Sequence, residues 1–324
     1  GSEMCIRDRT CNLAEAAVFF KSNDCFGILT HQFPDGDTLG SAYGLCSMLQ
    51  QMGKKARVLV NGGRPPQKFL YLEQLVQRQD FNVENYVSVD VADAKLLGEL
   101  DVYAEQVELA IDHHSTHNPF ARIYYVNTLA SNCENIVELA GELNVTITKD
   151  IADALYTGIA TDTGCFRYTN TTSKTHTTAA QLMDCGCDAA KINKAMFETV
   201  SKNKKALESY VIGNMEYFCD DKIAVAHTTR EILKRFNVPE DEVGGISAIP
   251  RTIEGVLIGI TIRQKNDTTY KISVRTNEGI DASAICGQLG GGGHKAAAGC
   301  AVDGTLQQAK EAVLAVAKKY IEEQ

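Results

Sequence analysis

The stretch HQFPDGDTLGS occupies residues 31–41 and directly follows the apolar run CFGILT at residues 25–30. A short apolar run bounded by polar residues predicts a buried β-strand. Residues 37–52 predict a helix, because their apolar side chains recur at helical spacing. A strand that leads through a polar turn into a helix is the first unit of an alternating α/β fold.

Four further runs continue this alternation and predict strands at Ala56–Val60, Tyr86–Val91, Val107–Ile111 and Arg122–Val126. Strands that alternate with helices imply a parallel sheet with helices on both faces. Such sheets bind their ligands at the carboxyl ends of the strands. The sequence therefore directs attention to the residues that follow each strand.

The rest of the chain predicts more helices and then a second, smaller α+β domain. Helices are expected at residues 133–143, 150–161, 174–185 and 189–197, and later strands at 223–227, 256–264 and 270–276, before a final helix at 305–320. The polar, basic stretch TVSKNKK at residues 199–205 suggests a linker. We predict a first domain at 11–198, a linker at 199–213 and a second domain at 214–324. Residues 1–10 show no usable periodicity.

Charge and composition narrow the class of protein. The chain has 324 residues and a net charge of -9, from 32 Lys and Arg against 41 Asp and Glu. Proteins that coat long nucleic acids need basic surfaces, so this balance argues against that role. No apolar run reaches the length of a membrane helix, and the eleven cysteines follow no disulfide framework. A cytoplasmic protein with reduced thiols is expected.

Acidic and imidazole side chains collect where three predicted strands end and where one helix ends. Each aspartate alone could be a turn or helix-cap residue. Carboxylates gathered at one sheet edge repel each other, however, unless cations neutralise them. Four aspartates and two histidines suit two divalent ions that share a bridging carboxylate, with Mn²⁺ or Mg²⁺ favoured and Fe²⁺ or Co²⁺ as alternatives. The candidate residues are His31, Asp35, Asp37, Asp90, His113, His114 and Asp162.

Four motifs in this order resemble the DHH phosphoesterase superfamily: HQFPDGDTLGS, VSVD at 87–90, DHH at 112–114 and TDTG at 161–164. The segments RTIEGV, ISVRT and GGGGHKAAAG, which begin at residues 251, 272 and 290, resemble the DHH-associated domain. Two domains in a chain of this length resemble the stand-alone branch of oligoribonucleases and pAp phosphatases. Thr38 departs from the pattern, which usually has alanine there.

The resemblance implies a role for each metal-site residue. One ion would be held by His31 and Asp35, and the other by Asp37 and His113. Asp90 would bridge the two ions and Asp162 would complete the site. His114 and Asp90 are the implied catalytic residues, with His114 near the phosphate and leaving group.

The resemblance also implies a substrate-binding set in the second domain, across a cleft from the metals. The glycine run is not a P-loop, because Ala296 follows Lys295 where a Ser or Thr is required. Successive glycines can present backbone N–H groups to a phosphate, and an arginine can bind it through two N–H groups. The implied substrate-binding residues are Arg275, Gly292, Gly293 and His294. His117, His176 and His227 fit no motif.

The resulting expectation is an Mn²⁺-dependent phosphoesterase that hydrolyses RNA of two to five nucleotides to nucleoside 5′-monophosphates and dephosphorylates pAp. A cyclic di-AMP or pApA phosphodiesterase is the alternative. A family II pyrophosphatase would carry a lysine-rich clamp in place of GGGGH, and a non-catalytic nucleotide-binding scaffold would lack some of the ligands. The expected partners are short nucleotides, without long nucleic acid or membrane, and the expected assembly is a monomer or homodimer.

Overall fold

The computed structural model describes residues 9–277 and 279–322, apart from the side chains of Asp241 and His294. The chain divides into two compact units at Thr199 and Val200. The domain limits given above stay a prediction. Most of the segment predicted as a linker forms helix α7 (Lys202–Gly213), and its Leu207 packs into a core cluster of the second unit.

The first unit is built on a six-stranded sheet in which every neighbouring pair is parallel. The strand order is β1–β6–β5–β4–β2–β3. The predicted parallel sheet flanked by helices is confirmed. Its strands are β1 (Arg9–Thr10), β2 (Phe26–Leu29), β3 (Ala56–Leu59), β4 (Asn85–Val89), β5 (Val107–Asp112) and β6 (Ile123–Val126).

Helices cover both faces of this sheet in different ways. Six α-helices contribute to the core cluster on one face, while a 3-10 segment at Ala94–Gln106 packs Leu97 and Leu100 against the other. The last of the six continues into a π-helical turn at Lys194–Glu198. The helices are α1 (Leu13–Ser22), α2 (Gly36–Gln51), α3 (Asn132–Leu143), α4 (Lys149–Asp162), α5 (Ser173–Asp184) and α6 (Ala189–Asn193).

The strand order places a switch point between β2 and β4. The chain passes from β2 to β3 on one side, and then returns to the other side of β2 to add β4, β5 and β6. The crevice at such a point, at the carboxyl ends of the strands, is where open α/β sheets bind ligands. The residues predicted to carry the chemistry follow β2, β4 and β5.

Glycines allow α2 and α4 to approach closely beside this edge. A Cβ at Gly40 would lie 2.4 Å from the Ala154 carbonyl oxygen, and one at Gly158 would lie 2.8 Å from Asp37 Oδ1. A larger residue at either position would push the two helices apart. The glycines therefore set the distance between the start of α2, which carries Asp37, and the end of α4, which carries Asp162.

The second unit holds a six-stranded mixed sheet in the order β11–β12–β10–β9–β8–β7, with β8 and β9 parallel and the other pairs antiparallel. Its strands are β7 (Glu216–Phe218), β8 (Ile223–Thr228), β9 (Ile258–Gln264), β10 (Thr269–Thr276), β11 (Gly292–His294) and β12 (Ala297–Asp303), and its further helices are α8 (Arg230–Phe236), α9 (Ala282–Gly287) and α10 (Leu306–Glu322). Within the described part of the chain, no helix has the length and apolar composition needed to cross a membrane.

Candidate metal centre

The six predicted ligands lie together at the carboxyl edge of the parallel sheet. Their donor atoms fall into three groups, and the atoms within each group lie within 4.8 Å of one another. Asp90 and His113 each belong to two of the groups. One group joins His31, Asp35 and Asp90, and another joins Asp37, His113 and Asp162. A third joins Asp90, His113 and His114.

The first two carboxylates are positioned by the start of α2. Asp35 caps the helix, and its Oδ1 accepts hydrogen bonds from the N–H groups of Asp37 and Thr38 at 3.0 and 3.2 Å. Asp37 is buried, and its two oxygens accept from the N–H groups of Asn132 and Cys133 at 2.6 and 2.9 Å. These donors begin α3, so the positive end of a helix dipole faces the Asp37 carboxylate.

Asp90 occupies the centre of the cluster in a strained conformation. It follows β4 with a φ of 59°, in the left-handed region that few residues other than glycine, Asn and Asp adopt. Its Oδ2 lies 4.0 Å from His31 Nε2, and its Oδ1 lies 3.4 Å from His113 Nε2. The two oxygens thus face the two halves of the cluster, as a bridging carboxylate requires.

The DHH motif orients its own two imidazoles. His113 Nδ1 donates to the Leu129 carbonyl oxygen at 3.0 Å, which leaves Nε2 as the coordinating nitrogen. Around Nε2 lie oxygens of Asp37, Asp90 and Asp162 at 3.6, 3.4 and 3.8 Å. His114 Nδ1 donates to Asp112 Oδ1 at 2.8 Å, so Nε2 is the ring nitrogen left to contact another group.

The pKa values of the clustered side chains show that the site favours added positive charge. Burial and the charge of Asp37 raise the pKa of Asp90 well above its usual range, and they raise the pKa of Asp162 to about 7. Burial alone would lower the pKa of His113, but the neighbouring carboxylates of Asp90 and Asp37 raise it to about 10. Protons bound to these side chains therefore offset the negative charge of the clustered carboxylates.

The donor set fits divalent cations. Asp90 Oδ1 is buried and has no hydrogen-bond partner, which is costly for a carboxylate unless it binds a cation. The surrounding donors are carboxylate oxygens and imidazole nitrogens, a set suited to hard or borderline divalent ions. The residues present can therefore hold metal.

The substrate-binding residues predicted in the second unit lie on two strands of the mixed sheet, β10 and β11. Arg275 lies on β10, and its Nη1 donates to the carbonyl oxygens of Val274 and Ala298 at 3.0 and 3.4 Å. Gly292 and Gly293 are exposed on the edge strand β11, opposite Gly299 and Ala298 of β12. The His294 side chain lies outside the described residues. The roles of these residues stay a prediction.

Two supporting residues had no predicted role. Asp112 is buried, and its Oδ1 also accepts from the N–H of His113 at 2.8 Å, so it fixes both histidines. The signal was present, since Asp112 opens the DHH motif. Thr38, the departure from the family pattern, donates its hydroxyl to the Val89 carbonyl oxygen at 3.1 Å and ties α2 to the strand that carries Asp90.

The three unassigned histidines have packing environments. His117 stacks on Tyr124 with ring centroids 5.6 Å apart, and His176 stacks on Phe166 at 5.1 Å. His227 lies on β8, where burial lowers its pKa. None of the three belongs to the groups of donors found among the described residues.

Residues 26–159 match the DHH family, N-terminal domain, and residues 220–323 match the DHHA1 domain. The chain belongs to the DHH family, as its motifs suggested. The bifunctional oligoribonuclease and PAP phosphatase NrnA of Thermus thermophilus is 31% identical over 91% of this chain and 89% of that protein.

Two further proteins are similar to this chain over most of its length. The probable bifunctional oligoribonuclease and PAP phosphatase NrnA of Streptococcus mutans is 30% identical over 86% of this chain and 90% of that protein. The crystal structure of an exopolyphosphatase-related protein from Bacteroides fragilis has a TM-score of 0.85 at 24% identity, covering 95% of this chain and 96% of that one. This likeness confirms the fold.

Proposed function

We propose that the protein is a metal-dependent phosphoesterase that hydrolyses short oligoribonucleotides to nucleoside 5′-monophosphates and removes the 3′-phosphate of pAp. The observation that carries the proposal is the cluster of carboxylates and imidazoles around Asp90, complete in every ligand that the motifs predicted. The similarity to NrnA proteins, which extends over both units, supports this choice of substrates.

Two divalent ions, with Mn²⁺ proposed, are the cofactors. One would be held by His31 and Asp35 and the other by Asp37, His113 and Asp162, with Asp90 between them. When bound, such a pair supplies a nucleophilic water at neutral pH and neutralises the negative charge of the phosphoryl group. The Leu129 carbonyl oxygen keeps His113 in the coordinating orientation, and the buried Asp112 fixes the ring of His114.

His114 is proposed as the residue that contacts the phosphate and the leaving group. Its Nδ1 donates a hydrogen bond to Asp112, which fixes the orientation of the ring. The side chain is 38% exposed at the rim of the cluster, so Nε2 is accessible to a substrate. A proton on Nε2 can pass to the departing oxygen, which makes His114 the proposed general acid.

Arg275, Gly292, Gly293 and His294 are proposed to bind the substrate's terminal phosphate or base. An arginine fork and exposed backbone N–H groups are suitable partners for a phosphate. The free thiols of ten described cysteines support a reducing compartment, so we propose the cytoplasm as the location. The oligomeric state, a monomer or a homodimer, stays a prediction.

Product analysis tests this function. The purified protein is freed of metal by chelation, supplied with Mn²⁺ and incubated separately with pApA, pGpG, pAp, cyclic di-AMP and pyrophosphate. We expect pApA and pAp to be converted to AMP. Turnover of cyclic di-AMP alone would favour the cyclic dinucleotide alternative, and turnover of pyrophosphate alone would contradict the proposal.

A matched pair of variants shows whether the cluster is responsible. Asp90→Ala removes the central carboxylate and should abolish Mn²⁺-dependent hydrolysis of pApA. Asp101→Ala removes an exposed carboxylate from a 3-10 segment and should leave the rate unchanged. Hydrolysis that survives Asp90→Ala would refute the assignment of the site.

A further inference from the structure

The turn that follows α4 carries an exposed aromatic side chain close to the metal centre. Tyr168 is 47% exposed, although tyrosine usually buries much of its ring. The backbone N–H of Tyr168 donates to the Thr163 carbonyl oxygen at 3.0 Å, one residue after the predicted ligand Asp162. The substrate-binding residues implied by the resemblance lie in the second unit and do not include this turn.

The turn is held in a fixed conformation. Gly164, Cys165 and Phe166 are successive left-handed residues, with φ of 56°, 59° and 63°. Left-handed backbone is unfavourable for Cys and Phe, so the surrounding contacts must impose it. Phe166 provides one such contact by packing against the rings of Tyr156 and His176.

A second anchor joins the turn directly to the metal centre. Asn170 Nδ2 donates to the Asp162 carbonyl oxygen at 3.2 Å and to the Ala130 carbonyl oxygen at 3.0 Å. Ala130 follows Leu129, whose carbonyl oxygen fixes the ring of His113. These hydrogen bonds connect the turn to the backbone of Asp162 and to the backbone segment that fixes the ring of His113.

The Tyr168 ring lies directly on Gly164. An ideal Cβ at Gly164 would fall 2.3 to 2.6 Å from three atoms of the ring, so only glycine leaves room for it. Arg167 Nε donates to the Gly164 carbonyl oxygen at 2.6 Å and packs against the same residue. Gly164 is two residues from Asp162, a Cα separation of at most about 7.6 Å. The ring therefore packs on a residue whose backbone is close to that of Asp162.

We propose that Tyr168 stacks on a nucleobase of the substrate, the base whose phosphate is held at the metal centre. This inference rests on the proposed function and adds a base-binding residue in the first unit. A base is joined to its phosphate by a single ribose, so a phosphate at Asp162 brings its base to this turn. Aromatic rings bind bases by stacking without selecting among them, which suits an enzyme that accepts short RNAs of any sequence.

The test compares Tyr168→Ala with wild type on pApA and on two analogues in which one adenine or the other is replaced by hydrogen. We expect Tyr168→Ala to raise KM for pApA by roughly 5- to 150-fold, the range for loss of one stacked base, with a smaller change in kcat. On the analogue that lacks the stacked base, Tyr168→Ala should have nearly the same KM as the wild type, because ring and base act as a pair. Tyr168→Phe should restore the wild-type KM.

Two controls separate stacking from structural damage. Tyr217→Ala removes a tyrosine of similar exposure, 40%, from β7 and should leave KM unchanged. Mn²⁺ titration and thermal unfolding should give wild-type values for Tyr168→Ala. An equal loss on pApA and on both analogues, or a change of KM below twofold, would overturn the stacking role. If the wild-type protein hydrolyses none of these compounds, the proposed function itself fails.

Discussion

At the scale of single residues, Asp90 combines three unfavourable features that a bound cation would offset. It is buried, its backbone is left-handed, and its Oδ1 has no hydrogen-bond partner. A folded protein retains such a residue where the strain has a functional use. Its position between the two groups of donors is the position that the proposed bridging carboxylate would occupy.

The substitution Asp90→Asn should separate metal binding from folding. Asparagine tolerates the left-handed backbone and keeps the shape of the side chain. Because burial and the charge of Asp37 raise the pKa of Asp90, the metal-free protein already favours an uncharged group there, and its melting temperature should stay unchanged or rise. We expect Mn²⁺ affinity to fall by more than about a hundredfold, the upper range for losing an outer partner of a ligand. Calorimetric titration and unfolding in chelator measure both. Retention of two tightly bound equivalents of Mn²⁺ would exclude the bridging role.

Metal binding by the metal-free protein should depend on pH. The pKa of His113 is raised to about 10 and that of Asp162 to about 7, so a cation must displace protons from both near neutrality. Both raised values stabilise the metal-free fold at low pH, and this stability is lost as pH rises through 7 and then 10. Mn²⁺ affinity should therefore increase between pH 6 and 9. Titration in buffers of different ionisation enthalpy counts the released protons, and a pH-independent affinity would contradict this.

At the scale of elements, the pattern of apolar residues in the sequence predicted the strands and helices that depend on local interactions. The strand expected at 25–30 and the helix expected at 37–52 lie within one residue of β2 and α2 at each end. The two-residue strand β1 escaped prediction, because only its pairing with β6 defines it. The candidate ligands were predictable because each lies at or close to the end of a strand or helix. The role of Asp112 was not, since it depends on where the His114 ring lies.

The close contact of α2 and α4 makes Gly158 a sensitive position. An alanine Cβ there would lie 2.2 Å from Cys133 Sγ and 2.8 Å from Asp37 Oδ1. Overpacking of this kind costs about 1–3 kcal/mol, so Gly158→Ala should lower the free energy of unfolding by that amount. Displacement of Asp37 should also weaken Mn²⁺ binding. Denaturant unfolding and calorimetry measure the two effects.

Gly141 on α3 is the matched control for this helix contact. It is exposed, and a Cβ there would meet no atom within 4 Å among the described residues. Gly141→Ala should therefore stabilise the protein by about 0.5–1 kcal/mol through helix propensity alone. If the two variants changed stability equally, close packing would not be the reason for the glycine at 158.

At the scale of the whole molecule, the two units are expected to divide the work between metal and substrate. Arg275→Ala should raise KM for pApA by roughly 10- to 150-fold, because an arginine hydrogen bond to a phosphate is worth about 1.5–3 kcal/mol. Mn²⁺ affinity should not change, since the ligands all belong to the first unit. Arg275→Lys keeps the charge but loses the fork, and should be intermediate. Weakened Mn²⁺ binding in Arg275→Ala would indicate a structural role.

Net charge gives a prediction for the length of substrate. The excess of nine negative charges lies entirely in residues 1–200, which hold 16 basic and 25 acidic residues, while the remainder is neutral. A protein that binds long strands through many phosphate contacts loses about 10³–10⁵ in affinity between 50 and 200 mM salt. An acidic protein that binds one or two phosphates should instead show less than about a tenfold change in KM for pApA over that range.

The same balance should limit activity on long RNA, because each added phosphate meets an acidic surface and gains no further binding site. We expect kcat/KM for a 24-nucleotide RNA to be at least a hundredfold below that for pApA, measured by product chromatography at both salt concentrations. The comparison is informative because its two parts are independent. Efficient turnover of the 24-mer with a steep salt dependence would reveal a basic tract along the strand, which the neutral second unit could supply only by clustering its charges.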